Sequence, residues 1–260
     1  MAVVRYERTE RIVTITIDRP QVLNAINRQV SAELRDAFLR FRRDPEAWAA
    51  IVTGAGERAF SAGVDLKELA ASGAEDGLHA FLDMEGYGRL ETDRSGYWKP
   101  VIAAVNGHCL GIGCTVAMAC DIRVAAENAT FGFPEVKRGL PTIIGTILLT
   151  RALGLGRALE VLLTGDAFGA QDALRLGMVN RVVPAGQALA AATALAERIC
   201  ANAPLAVRAT KELAVRSTEM PFEHAWRLGE SLRYALSRTE DAREGPRAFA
   251  EKRAPAYRGR

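Results

Sequence analysis

The chain has 260 residues, enough to bury a large core in one domain or in one domain with an appendage. Hydrophobic residues make up 49% and charged residues 25%, an ordinary composition for a soluble globular protein. The net charge of +3 is too mild to imply nucleic acid, although it suits a small anionic ligand.

The opening residues, 1–8, lack the apolar run of a secretory signal. No later window reaches the ~18 uncharged apolar residues needed to cross a bilayer. Residues 11–18 alternate β-branched apolar and polar side chains until Arg19-Pro20 stops the run, which predicts a strand. Residues 3–7 are read as its hairpin partner. Val30, Leu34, Phe38 and Phe41 then recur at helical spacing across residues 28–41. Residues 49–53, 101–105 and 122–126 read as short buried strands, the first two ending at glycine turns. From about residue 143 onward the pattern is helical. Residues 186–200 are alanine-rich, while 204–215 and 221–236 each open at a proline. Strands alternating with helices predict an α/β fold with parallel crossovers over residues 1–185, followed by a helical region over 186–260.

Two glycine-bearing segments precede a lone glutamate. The first is Phe60-Ser61-Ala62-Gly63-Val64-Asp65-Leu66, and the second is Asn106-Gly107-His108-Cys109-Leu110-Gly111-Ile112-Gly113. Each can offer a backbone N–H to a ligand, and two such groups aimed at one point form an oxyanion hole. The second segment reads as the start of a buried helix, whose first amides lack partners and carry partial positive charge. A glycine-lined helix packed tightly on a sheet explains that segment equally well. For the first segment, a turn capped by Asp65 is the simpler account. Glu135 stands among Phe131, Phe133 and Val136, a setting that suits general acid–base work, although a surface glutamate beside a turn has the same local sequence.

Other chemistries lack their residues. The glycines do not form a dinucleotide fingerprint, no phosphate-loop lysine is present, and no G-x-S-x-G elbow occurs. Neither the histidines (His79, His108, His224) nor the cysteines (Cys109, Cys114, Cys120, Cys200) have metal-ligand spacing. Buried reduced thiols in a cytoplasmic protein account for the cysteines.

Taken together the segments resemble the crotonase superfamily, the enoyl-CoA hydratase/isomerase enzymes. The likeness runs along the whole chain. It includes Arg19-Pro20 with Leu23-Asn24-Ala25-Ile26-Asn27, both glycine segments, Ala119-Cys120-Asp121-Ile122-Arg123 and Phe131-Gly132-Phe133-Pro134-Glu135-Val136. It continues through Leu162-Leu163-Thr164-Gly165, Gly177-Met178-Val179-Asn180-Arg181-Val182-Val183-Pro184 and Phe249-Ala250-Glu251-Lys252-Arg253.

The resemblance implies a right-handed spiral of ββα units and a C-terminal helical region that trimerises, as a trimer or a dimer of trimers. It implies an acyl-CoA thioester as substrate, with coenzyme A part of that substrate and no separate cofactor or metal. The oxyanion donors fall on Val64 and Ile112, and substrate-binding positions on Gln21, Val22, Ala25, Ala62, Asp65, Leu66, Lys67 and Gly111. Phe249 and Lys252, contributed by a neighbouring subunit, complete the coenzyme A site.

The family's hydratases place two glutamates around a water. Glu135 matches the second, and Thr115 stands where the first would be. Threonine can hydrogen-bond but cannot hold a proton in transit near neutral pH. Hydratase-type chemistry is the leading expectation. The alternatives are a double-bond isomerase using Glu135 alone and a catalytically silent coenzyme-A-binding scaffold. Asp83, Glu85 and Glu91 are further candidate carboxylates. The segment Gly139-Leu140-Pro141-Thr142-Ile143-Ile144-Gly145 puts β-branched bulk near the acyl end and is expected to shape substrate choice.

Overall fold

The computed structural model describes residues 2–71 and 98–260. Its frame is a six-stranded sheet in the order β1 (Val4–Thr9), β2 (Ile12–Ile17), β3 (Ala49–Gly54), β5 (Val101–Val105), β7 (Ile122–Ala126) and β10 (Arg181–Val183). β1 and β2 form the expected antiparallel hairpin; the remaining pairs are parallel. A second sheet of four short strands runs β4 (Ala59–Ser61), β6 (His108–Leu110), β8 (Thr130–Gly132) and β9 (Phe168–Gly169).

The chain visits the two sheets in alternation. β3, β5 and β7 lie in the larger sheet, and the strand after each lies in the smaller one. A helix or helical turn then follows: α2 (Leu66–Ala71), α3 (Ile112–Ala119) and a 3₁₀ turn at Pro134–Arg138. These are the stacked ββα units that the resemblance to the crotonase superfamily implies. α1 (Arg28–Arg43) begins where predicted and runs two residues past the expected end at residue 41; it starts with the Asn27 side chain accepting from the Val30 N–H and buries Val30, Leu34, Ala37 and Phe41 along one stripe.

The stretch from residue 143 to 185 is less uniformly helical than its sequence indicates. α4 (Ile144–Leu153), α5 (Leu155–Thr164) and α6 (Ala170–Leu176) are present, but β9 and β10 interrupt them, one in each sheet. The helices α7 (Ala188–Cys200), α8 (Pro204–Ser217), α9 (Phe222–Leu236) and α10 (Glu240–Ala250) follow.

Both faces of the larger sheet are covered, which is why β3 and β5 read as continuous apolar runs. Ala50, Val52, Val101, Ala103 and Val105 face the main core with α1 and α3. Ala49, Ile51, Ile102 and Ala104 face the opposite way, onto Ala188, Ala192 and Ala196 of α7. Burying a side chain the size of Ile51 stabilises the fold by about 1.5–3 kcal/mol. Small alanines on α7 let it lie close against the sheet. Cys109, Cys114 and Cys120 are buried and Cys200 is half-buried, and none of the four is in a disulfide. No described helix is long and apolar enough to cross a membrane.

Candidate active site

The two glycine segments and Glu135 converge at one point. Gly63 has φ +93° and Gly111 has φ +54°, left-handed values that glycine alone adopts cheaply. A Cβ added to Gly63 would lie 2.9 Å from the Leu110 carbonyl oxygen and 3.7 Å from Gly111 Cα. One added to Gly111 would lie 3.1 Å from Glu135 Oε1. Side chains at either glycine would wedge the segments apart.

Hydrogen bonding decides which amides remain available. The Gly63 N–H donates to Ser61 Oγ at 3.2 Å. The Gly111 N–H donates to the Gly132 carbonyl at 2.9 Å. Val64 lies in a single parallel bridge with Ile26, in which Ile26 N–H donates to Gly63 O and Asp65 N–H donates to Ile26 O. That bridge uses the groups on either side of Val64 and leaves its own N–H turned away. Ile112 opens α3, whose first intrahelical bond runs from Thr115 N–H to Gly111 O. Among the described residues, neither Val64 N–H nor Ile112 N–H has a protein acceptor.

Gly113 holds α3 tight against the first segment. Its added Cβ would meet Ser61 Cβ at 2.7 Å and Ser61 O at 2.7 Å. Ser61 therefore takes up the Gly63 amide and seats the start of α3. The sequence contains that serine, but only the folded contact reveals its work.

Glu135 sits in the 3₁₀ turn Pro134–Arg138, which ends at Gly139. The turn was one of the two readings of its sequence, yet the carboxylate points inward. Its Oε2 is buried and without a hydrogen-bond partner among the described residues. A buried acceptor in that state costs free energy and calls for a ligand. Thr115 is 5% exposed and its Oγ1 lies 3.5 Å from the Gly111 carbonyl, a contact at the limit of a hydrogen bond. Its side chain lies beside the convergence point and adds no second carboxylate. Asp83, Glu85 and Glu91 lie outside the described residues.

The remaining predicted positions fall in two groups. Gln21 and Val22 lie in the exposed 3₁₀ turn Pro20–Val22, and Leu23 and Asn24 follow at φ 54° each. Asn24 is fully buried and donates to the Ala55 and Ala59 carbonyls while accepting from Arg19 N–H, which holds this unusual turn. Ala62 N–H donates to Leu23 O, tying this turn to the first glycine segment. Ala25, Ala62, Asp65, exposed Leu66 and exposed Lys67 thus share one edge. Asp65 is not a free acid, since Arg19 grips its Oδ2 at 3.1 Å and also donates to the Ala25 carbonyl. Phe249, 87% exposed, and Lys252 stand at the end of α10, and no hydrogen bond joins them to this edge among the described residues. His108 is exposed and its Nδ1 lies 2.7 Å from Thr130 Oγ1.

Two amides without acceptors among the described residues, on segments that meet beside Glu135, suit a protein that stabilises charge on an oxygen while a proton moves nearby. The comparisons with known proteins give that class a family. The profile described as enoyl-CoA hydratase/isomerase matches residues 7–260. An (E)-benzylidenesuccinyl-CoA hydratase of Thauera aromatica is 39% identical over 98% of this chain and 99% of its own. A carnitinyl-CoA dehydratase of Escherichia coli K12 is 44% identical over 97% of each chain. A crystal structure of an enoyl-CoA hydratase from Bacillus anthracis superposes with a TM-score of 0.93 at 34% identity, covering 99% of this chain and 100% of that one. The chain belongs to the enoyl-CoA hydratase/isomerase family. It has the crotonase fold, and it is an acyl-CoA enzyme of the hydratase type, as the sequence leads one to expect.

Proposed function

We propose that this chain adds water across the double bond of a 2-enoyl-CoA, with Val64, Ile112 and Glu135 as its working groups. The observation that carries the reading is Glu135 Oε2, buried and without a hydrogen-bond partner among the described residues, beside the meeting point of Gly63 and Gly111. The Val64 and Ile112 N–H groups hold the thioester oxygen. Glu135 takes a proton from water as the new C–O bond forms at the β-carbon. The π electrons move toward the thioester oxygen, where the two amides stabilise the enolate. Glu135 then returns the proton to the α-carbon, so one molecule of water is added and the carboxylate is restored. Each such amide is worth roughly 3–4 kcal/mol of barrier.

Coenzyme A is proposed to lie along Gln21, Val22, Ala25, Ala62, Asp65, Leu66, Lys67 and Gly111. It arrives with the substrate, and the mechanism asks for no other cofactor. A neighbouring subunit supplies Phe249 and Lys252. Leu155, Leu163, Phe222 and Trp226 are each more than 60% exposed in the single chain, and such apolar surface suits assembly into a trimer or a dimer of trimers. Buried free thiols suit a reducing cytoplasm.

Thr115 favours a second reading. With one carboxylate, Glu135 can carry a proton between the α- and γ-carbons and act as an isomerase. A silent scaffold fits poorly with a buried carboxylate oxygen that has no hydrogen-bond partner among the described residues. The purified protein is to be offered linear, branched and aryl 2-enoyl-CoAs, and 3-enoyl-CoAs. Loss of the conjugated thioester's absorbance reports hydration, and its gain reports isomerisation. Isomerisation without hydration of any 2-enoyl-CoA would replace the first reading by the second.

A further inference from the structure

The loop between the Glu135 turn and α4 carries a hydroxyl that the described residues leave unused. Thr142 Oγ1 is buried and lacks a hydrogen-bond partner among the described residues, in the same condition as Glu135 Oε2. The neighbouring Thr146 differs, since its Oγ1 donates to the Thr142 carbonyl at 2.6 Å. Removing a hydroxyl from water without a partner is unfavourable, and a buried oxygen that no described residue satisfies marks a place for water or a ligand.

Gly145 brings the two threonines together. A Cβ there would lie 2.7 Å from Thr142 Cγ2, 2.8 Å from Thr115 Oγ1 and 2.5 Å from Phe133 Cε1. Thr115 Oγ1 in turn approaches the Gly111 carbonyl, and Gly111 faces Glu135 Oε1. Glu135, Gly111, Thr115, Gly145 and Thr142 thus form one chain of neighbouring residues. It carries a single carboxylate and two hydroxyls.

We propose that Thr142 is a positioning residue. Its hydroxyl, paired with that of Thr115, holds the water that Glu135 activates and supplies by hydrogen bonding the orientation that a second carboxylate would give. The inference rests on the hydratase reading above. It involves no proton transfer to threonine. The hydroxyls donate to and accept from the water while its proton leaves to Glu135.

The test uses the full-length protein with Thr142→Val and Thr142→Ser. Valine keeps the β-branched shape and the methyl that meets Gly145, and loses only the hydroxyl. Two reactions are followed: hydration of the best 2-enoyl-CoA substrate, and exchange of the α-protons of butanoyl-CoA into D2O. Exchange needs the amides and Glu135 but no positioned water. Thr142→Val is expected to lower kcat for hydration roughly tenfold, the value of one hydrogen bond to a reacting group. KM and the exchange rate are expected to stay within about twofold of the parent, Tm is expected not to fall, and serine is expected to restore most of the rate.

Hydration within twofold of the parent in the valine variant overturns the proposal. So does an equal loss of hydration and exchange, which would assign Thr142 to packing. If the parent exchanges α-protons but hydrates no 2-enoyl-CoA, the hydratase reading falls and this inference falls with it. If the parent and the valine variant both hydrate well, only the role of Thr142 is lost.

Discussion

Gly113→Ala tests the site's geometry without touching Glu135 or either proposed donor. The new Cβ would appear 2.7 Å from both Ser61 Cβ and the Ser61 carbonyl oxygen. Carbon atoms rest at about 3.5–4.0 Å, so the start of α3 must retreat from the first segment by about 1 Å. Ser61 is fully buried and its Oγ is held by the Gly63 N–H, so it cannot swing clear. Overpacking of this kind costs about 1–3 kcal/mol of stability. In a chain of this size each kcal/mol lowers Tm by about 2–4 °C. The rate should suffer more. Ile112 moves with α3 while Val64 stays with β4, and a misplacement of about 1 Å can cost roughly 100-fold. The assay is loss of the conjugated thioester's absorbance, with Tm measured alongside. A folded variant with kcat within about threefold of the parent would refute the idea that the spacing of these two amides controls the reaction.

Other outcomes follow from the same structure. Glu135→Gln should cut kcat at least ~100-fold in the absorbance assay, with Tm close to the parent's because Oε2 has no protein partner to lose among the described residues. Ser61→Ala removes the acceptor 3.2 Å from the buried Gly63 N–H; denaturant unfolding should register a loss of about 1–3 kcal/mol. The C-terminal tail should respond to acid. Hydrogen bonds from Arg253 first, and from the Ala256 N–H, hold the Glu244 carboxyl down at about 2, against 4.5 in the absence of such partners. Because the folded value is depressed, the tether is at full strength above pH 4.5 and fades as pH falls toward about 2. The protection of the 253–260 amides against exchange, taken relative to an unstructured peptide at the same pH, should fall across that window, and Glu244→Gln should flatten the response.

Some of this architecture is legible in the chain alone. The β1–β2 hairpin, α1, β3, β5 and β7 lie where alternation, helical spacing and short apolar runs put them, because each buries a regular stripe of side chains. The smaller sheet is a different case. β6, β8 and β9 have three, three and two residues, too few to display a period. They exist because the larger sheet carries the chain to their partners. β10 is hidden in the same way, and the helical pattern around it masks both late strands.

The candidate site divides along the same line. The residue types that permit the chemistry are fixed locally: glycines that tolerate left-handed backbone, a helix start with spare amides, and one glutamate after a proline. So is the loss of a second carboxylate at Thr115. What each group does is set by contacts between segments far apart in the chain. Ser61 consumes the Gly63 amide, the bridge to Ile26 turns Val64 outward, and Arg19 neutralises Asp65. Glu135 Oε2 and Thr142 Oγ1 are left without protein partners among the described residues. A sequence lists its hydrogen-bonding groups, but which of them remain unspent is known only after the backbone has folded and claimed the rest.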